Sequence, residues 1–324
     1  MPDLYAYTLA QCDIAPERRS ALESYRAKRR LWLSWISSDE RHAIWSVLSD
    51  MAWTDASFKL LTSFATADES NGLNNSLLAE ALFDGHVATQ VLAIRRLMDD
   101  RNTDIISLRR LTKELRHSWP LFTRENYICF DGLPYDYDAV QRNDMLERVG
   151  KGFFWGESSG PGAYGTSRMA HEQFDKLASV DPARRSREDR LPASLLTTIE
   201  KWLHDSGADD LKEWSHAYLA HAGGPESRKK IAALSITASK ITKAIKAMSR
   251  VTEAVSAYIL FDGGRSRSLM PVAQFNPFEK LDKPFMHAGG EGAAYGLWRQ
   301  LSDERNSYLD GVGEELIKSE KPTT

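Results

Sequence analysis

The chain has 324 residues, 42% hydrophobic and 27% charged, and its 42 Lys and Arg nearly cancel 45 Asp and Glu to leave a net charge of −3. That balance excludes a globally basic nucleic-acid coat and an acidic disordered tail, and the length suits one large domain or two modest ones. Two cysteines, Cys12 and Cys129, are too few for a disulfide framework or a four-thiolate zinc site, which points to a reducing cytoplasm.

The first residues show no basic stretch followed by a long apolar run, and nowhere do about 18 apolar residues stand together, so no membrane association is expected. Over 17–36, Leu22, Tyr25, Leu33 and Ile36 recur at helical spacing, with Glu23, Arg26, Lys28, Arg29 and Arg30 between them. This reads as an amphipathic helix with a basic side. Shorter helices are expected over 40–51 and 57–67. The strongest pattern is 73–98, where Leu73, Leu77, Ala81, Phe83, Val87, Val91, Ile94 and Met98 keep the 3.6-residue period. At 1.5 Å per residue this helix would run about 40 Å, enough for the central pillar of a bundle. Thr103 or Asp104 offers an N-cap for the next helix, which has the stripe Leu108, Leu111 and Leu115 and stops at Pro120.

The stretch 122–166, with DGLPYDYD and GKGFFWGESSGPGAYG, is rich in Gly, Pro and aromatics and reads as a long ordered loop or lid. Helices resume over 167–179 and 192–204, joined by DPARRSREDR as a solvated linker. Two more follow. One covers 209–221 and ends at Gly223-Gly224-Pro225. The other covers 235–261, with Ile241, Ile245, Met248, Val251 or Val255, and Ile259 on one face. Beyond it, periodicity returns only over 295–301 and near Leu316. Strand patterns are limited to short runs at 127–130 and 269–275. The expected fold is all-α: an up-and-down helical bundle over 71–262 with an irregular insertion at 122–166. A helical extension over 1–70 precedes it, and an irregular tail over 263–324 packs on the bundle.

Several motifs carry candidate chemistry. Gly160, Gly162 and Gly165 fit a G-x-G-x-x-G spacing, but no βαβ unit surrounds them, and loop chemistry accounts for them. Two Glu-x-x-His pairs, Glu114 with His117 and Glu213 with His216, place carboxylate and imidazole on one helix face. Glu80 and Glu172 would complete the ligand set of a di-iron bundle. Arg116 beside His117 speaks for a wet face instead. In DDLKEWSHAYLAHAGG, His221 falls at a helix end, where the helix dipole favours its protonated form. It serves either as a capping residue or as a general acid or base. Basic residues gather in clusters: Arg95 and Arg96; Arg109, Arg110, Lys113 and Arg116; Arg184, Arg185, Arg187 and Arg190; Arg228, Lys229 and Lys230. Each is a solvated face or part of a phosphate-holding surface.

The runs QVLAIRRLMDDRNTDIISLRRLTKEL, EWSHAYLAHAGGPESR and AYILFDGG leading to PVAQFNPFEKLD resemble the HEPN superfamily of nucleotide-binding helical bundles, in the branch associated with abortive-infection proteins of phage defence. The resemblance spans about 73–284. It implies a bundle of four or five helices, often dimeric, and for many members RNA cleavage without a metal. The family motif is Arg, four to six residues, then His. Its His falls on His221, yet Trp214, Ser215, His216 and Ala217 occupy the positions where the Arg belongs. Arg110 and His117 match the spacing on another helix.

The resulting expectation is an RNA-binding protein or metal-independent endoribonuclease with a degenerate motif. His221 and His216 are its candidate catalytic residues, and Arg95, Arg96, Arg109 and Arg110 its RNA contacts. It is expected to be a cytoplasmic homodimer with no cofactor and no metal. The alternatives are a non-enzymatic module that dimerises or docks a protein partner and, ranked lower, a di-iron carboxylate bundle.

Overall fold

The computed structural model describes residues 5–39, 42–65, 76–100, 104–148, 157–220, 226, 229, 231, 234–262, 268–270, 272–273, 276–279 and 290–318. Among these, helices account for the architecture and the one β feature is an isolated bridge between Thr123 and Arg190. In chain order they are α1 (Arg19–Leu33), α2 (Ile44–Ala65), α3 (Ser76–Leu97), α4 (Leu108–Ser118), α5 (Arg124–Cys129), α6 (Tyr137–Arg148), α7 (Tyr164–Ala178), α8 (Ser194–Asp205), α9 (Ala208–Ser215), α10 (Ala238–Glu253), α11 (Gly290–Asn306) and α12 (Val312–Lys318). The all-α expectation therefore holds.

Helix α10 sits where the others meet, touching α2, α3, α8 and α9. The cause is its stripe: Ile241, Ile245, Met248, Val251, Val255 and Ile259 are each 1% exposed or less. The Thr237 side chain caps its start by accepting the Lys240 amide. Continuation as a wider π-type turn over Ala254–Ile259 keeps both Val251 and Val255 inward. In α3 the second half behaves as the pattern implies, with Val87, Val91, Ile94 and Met98 buried. Ala81 and Phe83 in its first half are exposed, and over 79–98 burial begins at His86. Leu73 lies outside the described residues.

Other elements depart from the sequence reading in ways that have local causes. One continuous helix, α2, replaces the two short ones, because Ala52 and Ala56 bury against the core and carry the helix through. Ser107, not Asp104, caps α4, accepting the Arg110 amide at 3.1 Å, and Thr103 lies outside the described residues. The 122–166 stretch is partly helical. All six residues of α5 are buried, and Tyr127 to Cys129 belong to that helix, not to a strand. Burial on every side hides the helical period from a sequence scan. In the Gly-rich part, Gly160 has φ of 78° and passes so close to the Tyr7 hydroxyl that a Cβ would lie 2.0 Å from it. Gly160 and Gly162 serve a tight turn, and Gly165 lies in the first turn of α7.

Two buried charge networks fasten the outer segments. In the first, Arg124, with no exposed surface, meets Asp175 Oδ1 at 2.7 Å and Asp189 Oδ2 at 2.8 Å. Arg185 reaches Asp175 at 2.6 Å, while Arg187 spans Glu125 at 2.7 Å and Asp13 at 2.9 Å. Backbone bonds from Arg124 N to Asp189 O and from Leu191 N to Phe122 O complete the attachment. Seven of the ten residues of DPARRSREDR are exposed, as expected of a solvated linker, but the segment is also pinned, because Arg185, Arg187 and Asp189 partner buried charges. In the second network Arg305 of α11, also fully buried, donates to Asp55 Oδ2 of α2 at 2.7 Å. Trp53 meets Trp298 edge-on nearby, with ring centroids 4.6 Å apart.

Helix α1 has no solvated basic side. Arg26 and Arg29 are buried and donate to backbone carbonyls, Arg26 to Phe130 O at 2.6 Å and Arg29 to Leu260 O at 3.0 Å. Both also lie over aromatic rings, Tyr5 and Phe130 respectively. No helix of the described residues is long and apolar enough to cross a membrane.

Candidate nucleic-acid interface

Where α3 ends and the chain turns towards α4, a cleft of about 620 Å³ opens. Asp39, His42, Leu92, Arg95, Arg96, Asp99, Asp104, Ile105 and Ile106 line it. Two of the four arginines expected to contact RNA, Arg95 and Arg96, converge here. They are neighbours in sequence on the last turn of α3, where cations also gain from the helix dipole. Arg95 is half-buried and has no hydrogen-bond or ion-pair partner among the described residues. Arg96 donates from Nη2 to His42 Nδ1 at 2.8 Å and to His42 O at 3.3 Å.

That contact fixes the state of His42. A guanidinium has no acceptor, so in this contact Nδ1 accepts and the ring N–H that remains is on Nε2. His42 thus adds an N–H donor to two guanidinium groups. Three carboxylates also border the cleft. Asp39 Oδ1 accepts the His42 amide at 2.8 Å, and Asp99 and Asp104 have partners of their own. His42 escaped the sequence reading because 54 positions separate it from Arg96 and no helical spacing links them.

The other expected RNA contacts are spent on structure. Arg109 forms a two-point pair with Asp209, at 2.6 and 2.7 Å, which ties α4 to the first turn of α9. Arg110 lies over the Trp35 ring, 4.4 Å from its centroid, and donates to Ile105 O at 2.8 Å. His117, two turns further on, is exposed, so the displaced Arg110 and His117 pair assembles no site. His216 opens a π-type turn over His216–Ala220 that extends α9; it is half-buried and already engaged. Helix α9 packs along α3, which brings this turn and the arginine-bearing helix into one layer. His221 lies outside the described residues, as do Arg228 and Lys230.

The di-iron alternative fails on placement. Glu114 pairs with Lys28 at 2.6 Å, and Glu80, Glu172, Glu213 and His117 face solvent. Among the described residues no group of three or more His, Cys, Asp or Glu is arranged to hold a metal. An i, i+3 pair fixes a shared face but does not turn that face inward. The two histidines buried among the described residues, His86 and His171, are also unsuited to proton transfer near neutral pH. Burial, reinforced by Arg124 and Arg185, lowers His171 to about 4, and burial lowers His86 as well.

A family model supplies the decisive comparison: that of AbiU2, in the HEPN superfamily, matches residues 38–274. The chain belongs to the AbiU2 family. It is accordingly a HEPN protein of the kind associated with abortive infection. The AbiU2 match runs from the start of α2 past the end of α10 and includes Asp39, His42, Arg95, Arg96, His216 and His221. Helices α1, α11 and α12 fall outside it. No curated protein and no solved structure matches the chain.

Proposed function

We propose that this AbiU2-family protein acts in phage defence by binding RNA, with a backbone phosphate seated between Arg95, Arg96 and the Nε2–H of His42. The observation that carries the reading is Arg95, a half-buried cation without a partner beside a second guanidinium that already holds a donor in place.

With a phosphate so held, metal-free cleavage follows general acid–base chemistry. One imidazole takes the ribose 2′-OH proton, the 2′-oxygen attacks phosphorus, and the bond to the 5′-oxygen breaks. A second group then protonates that leaving oxygen. The products are a 2′,3′-cyclic phosphate and a 5′-hydroxyl. His221 and His216 are assigned these proton transfers, in a homodimer that pairs two sites. The test uses purified protein with EDTA and end-labelled RNA, comparing parent, His221→Ala, His216→Ala and Arg95→Ala. Equal cleavage by all, or by none, removes the catalytic version. For binding, losing one single-strand phosphate contact lowers affinity about fivefold at 0.1 M salt and the log–log salt slope by about 0.7. Unchanged binding by Arg95→Ala removes the phosphate seat.

A second reading, dimerisation or partner docking without catalysis, draws on exposed apolar side chains. Phe83 is 44% and Leu92 42% exposed on α3, with Tyr218 at 42% and Leu219 at 37% in the turn extending α9. Single exposed apolar residues are ordinary, but four on two packed helices suit a contact surface. Light scattering of Phe83→Asp and Tyr218→Asp tests it. An unchanged mass for both counts against an interface on this face.

A further inference from the structure

The cleft that holds Arg95 and Arg96 also holds a carboxylate at the corner between α1 and α2. Asp39 follows the π-type turn Ser34–Ser38 that extends α1, and its backbone is extended, at φ −82° and ψ 108°. Its carbonyl accepts the amides of His42 at 3.3 Å and Ala43 at 2.9 Å, closing a single turn. Helix α2 continues from that turn as Val47 N donates to Ala43 O. The Asp39 side chain fastens the same turn, since Oδ1 accepts the His42 amide at 2.8 Å. An aspartate with extended backbone that accepts the amide three residues on has the geometry of a helix N-cap.

A carboxylate beside two arginines ordinarily pairs with one of them. Among the described residues Asp39 pairs with neither, and its one side-chain hydrogen bond goes to a backbone amide. His42 is exposed, so packing does not hold its ring. Polar contacts on both sides of the residue hold it instead. Asp39 takes its N–H, while Arg96 Nη2 donates to its carbonyl at 3.3 Å and to ring Nδ1 at 2.8 Å. For Arg96 to reach carbonyl and ring together, the His42 backbone must be turned towards α3, and Asp39 sets that turn.

We infer that Asp39 is a positioning residue for the phosphate seat: it closes the turn that presents His42 to Arg96 and so fixes the ring N–H in the cleft. It acts through Oδ1 as an acceptor and not through its charge, because a negative charge in the cleft opposes a phosphate. The inference rests on the phosphate-seat reading for its purpose, while the hold on His42 exists without RNA. Substitution separates acceptor from charge. Asn keeps the acceptor and the N-cap preference and loses the charge, whereas Ala loses all three.

The test compares the full chain with its Asp39→Asn and Asp39→Ala variants by two measurements, with circular dichroism as a folding check. NMR relaxation of the His42 ring carbons, assigned against His42→Gln, reads ring order without RNA. Fluorescence anisotropy with a labelled single-stranded RNA of mixed sequence at about 0.1 M KCl reads binding. The ring is expected to be ordered in the parent and in Asp39→Asn and mobile in Asp39→Ala. RNA binding by Asp39→Ala is expected to be about fivefold weaker than by Asp39→Asn, the worth of one cap bond, and Asp39→Asn is expected to bind more tightly than the parent. A ring as ordered in Asp39→Ala as in the parent, or as mobile in Asp39→Asn as in Asp39→Ala, overturns the inference. Equal RNA binding by the two variants also overturns it. If the parent binds no RNA, the phosphate seat falls, and ring order alone decides whether Asp39 positions His42.

Discussion

Replacing Arg305 by Met tests whether a buried ion pair fastens α11 to α2. Arg305 and Asp55 are 0% and 1% exposed and 2.7 Å apart. Removing one partner of such a pair leaves an uncompensated charge, which costs about 3–5 kcal/mol. Asp55 Oδ2 retains Lys59 Nζ at 3.3 Å and the Thr242 hydroxyl at 3.3 Å, so the expected loss is at the lower end, about 3 kcal/mol at pH 7.5. The pH dependence adds a second criterion. His86 Nε2 lies 3.7 Å from Asp55 Oδ1, with its ring stacked on Phe58, and burial holds its imidazole below the ordinary value. In the parent, a lowered histidine contributes stability above its unfolded pKa of about 6.5 that is lost on acidification. Without Arg305 the Asp55 charge is less compensated, so His86 takes up a proton more readily and the variant loses less on acidification. The gap between parent and variant therefore narrows from pH 7.5 to 5.5. Urea unfolding followed by circular dichroism at both pH values measures it, with Asp55→Leu/Arg305→Met recovering most of the loss. A loss under about 1 kcal/mol at pH 7.5, or a gap that widens towards pH 5.5, would refute the reasoning.

Three further outcomes are expected. His171, held near 4 by burial and by Arg124 and Arg185, contributes stability present above about pH 6.5 and lost as pH falls towards 4, worth about 3 kcal/mol in full. The pH profile of His171→Gln should lack that component, and a profile parallel to the parent's counts against it. Ser107→Ala removes the α4 cap and should cost about 1 kcal/mol by urea unfolding, whereas a neutral result means the cap bond contributes nothing. Gly160→Ala forces a Cβ onto the Tyr7 hydroxyl at a positive φ and should cost about 1–3 kcal/mol; Tyr7→Ala should relieve the steric share, and if it does not, contact with Tyr7 is not the cause.

The elements that were legible in the sequence are those with one wet face. Leu108, Leu111 and Leu115 of α4, and the stripe from Ile241 to Ile259, alternate buried and solvated positions, and that contrast is what a period detects. Helix α5 has no such contrast, since Arg124, Glu125 and Asn126 are as buried as Tyr127, Ile128 and Cys129. Its polar residues read as loop. The candidate site was half legible. Arg95 and Arg96 announce themselves as adjacent cations at a helix end, but nothing local distinguishes them from Arg109 and Arg110, whose charges Asp209 and Trp35 occupy. His42 joined them only through the packing of α2 on α3.

The strap from Asp181 to Arg190 carries four arginines in ten residues, Arg184, Arg185, Arg187 and Arg190, which makes it one of the dense groups of tryptic sites in the chain. In the folded protein two of those side chains are committed to Asp175, Glu125 and Asp13, and the backbone is tied to Phe122, Arg124 and Glu125. A protease must draw an extended stretch of substrate into its own cleft, with the arginine free to enter the specificity pocket. At Arg185 and Arg187 that means first breaking their ion pairs, so these two sites are protected while the fold is intact, whereas Arg184 and Arg190 are exposed. Cutting after Arg185 or Arg187 thus reports loss of the α5–α7 packing.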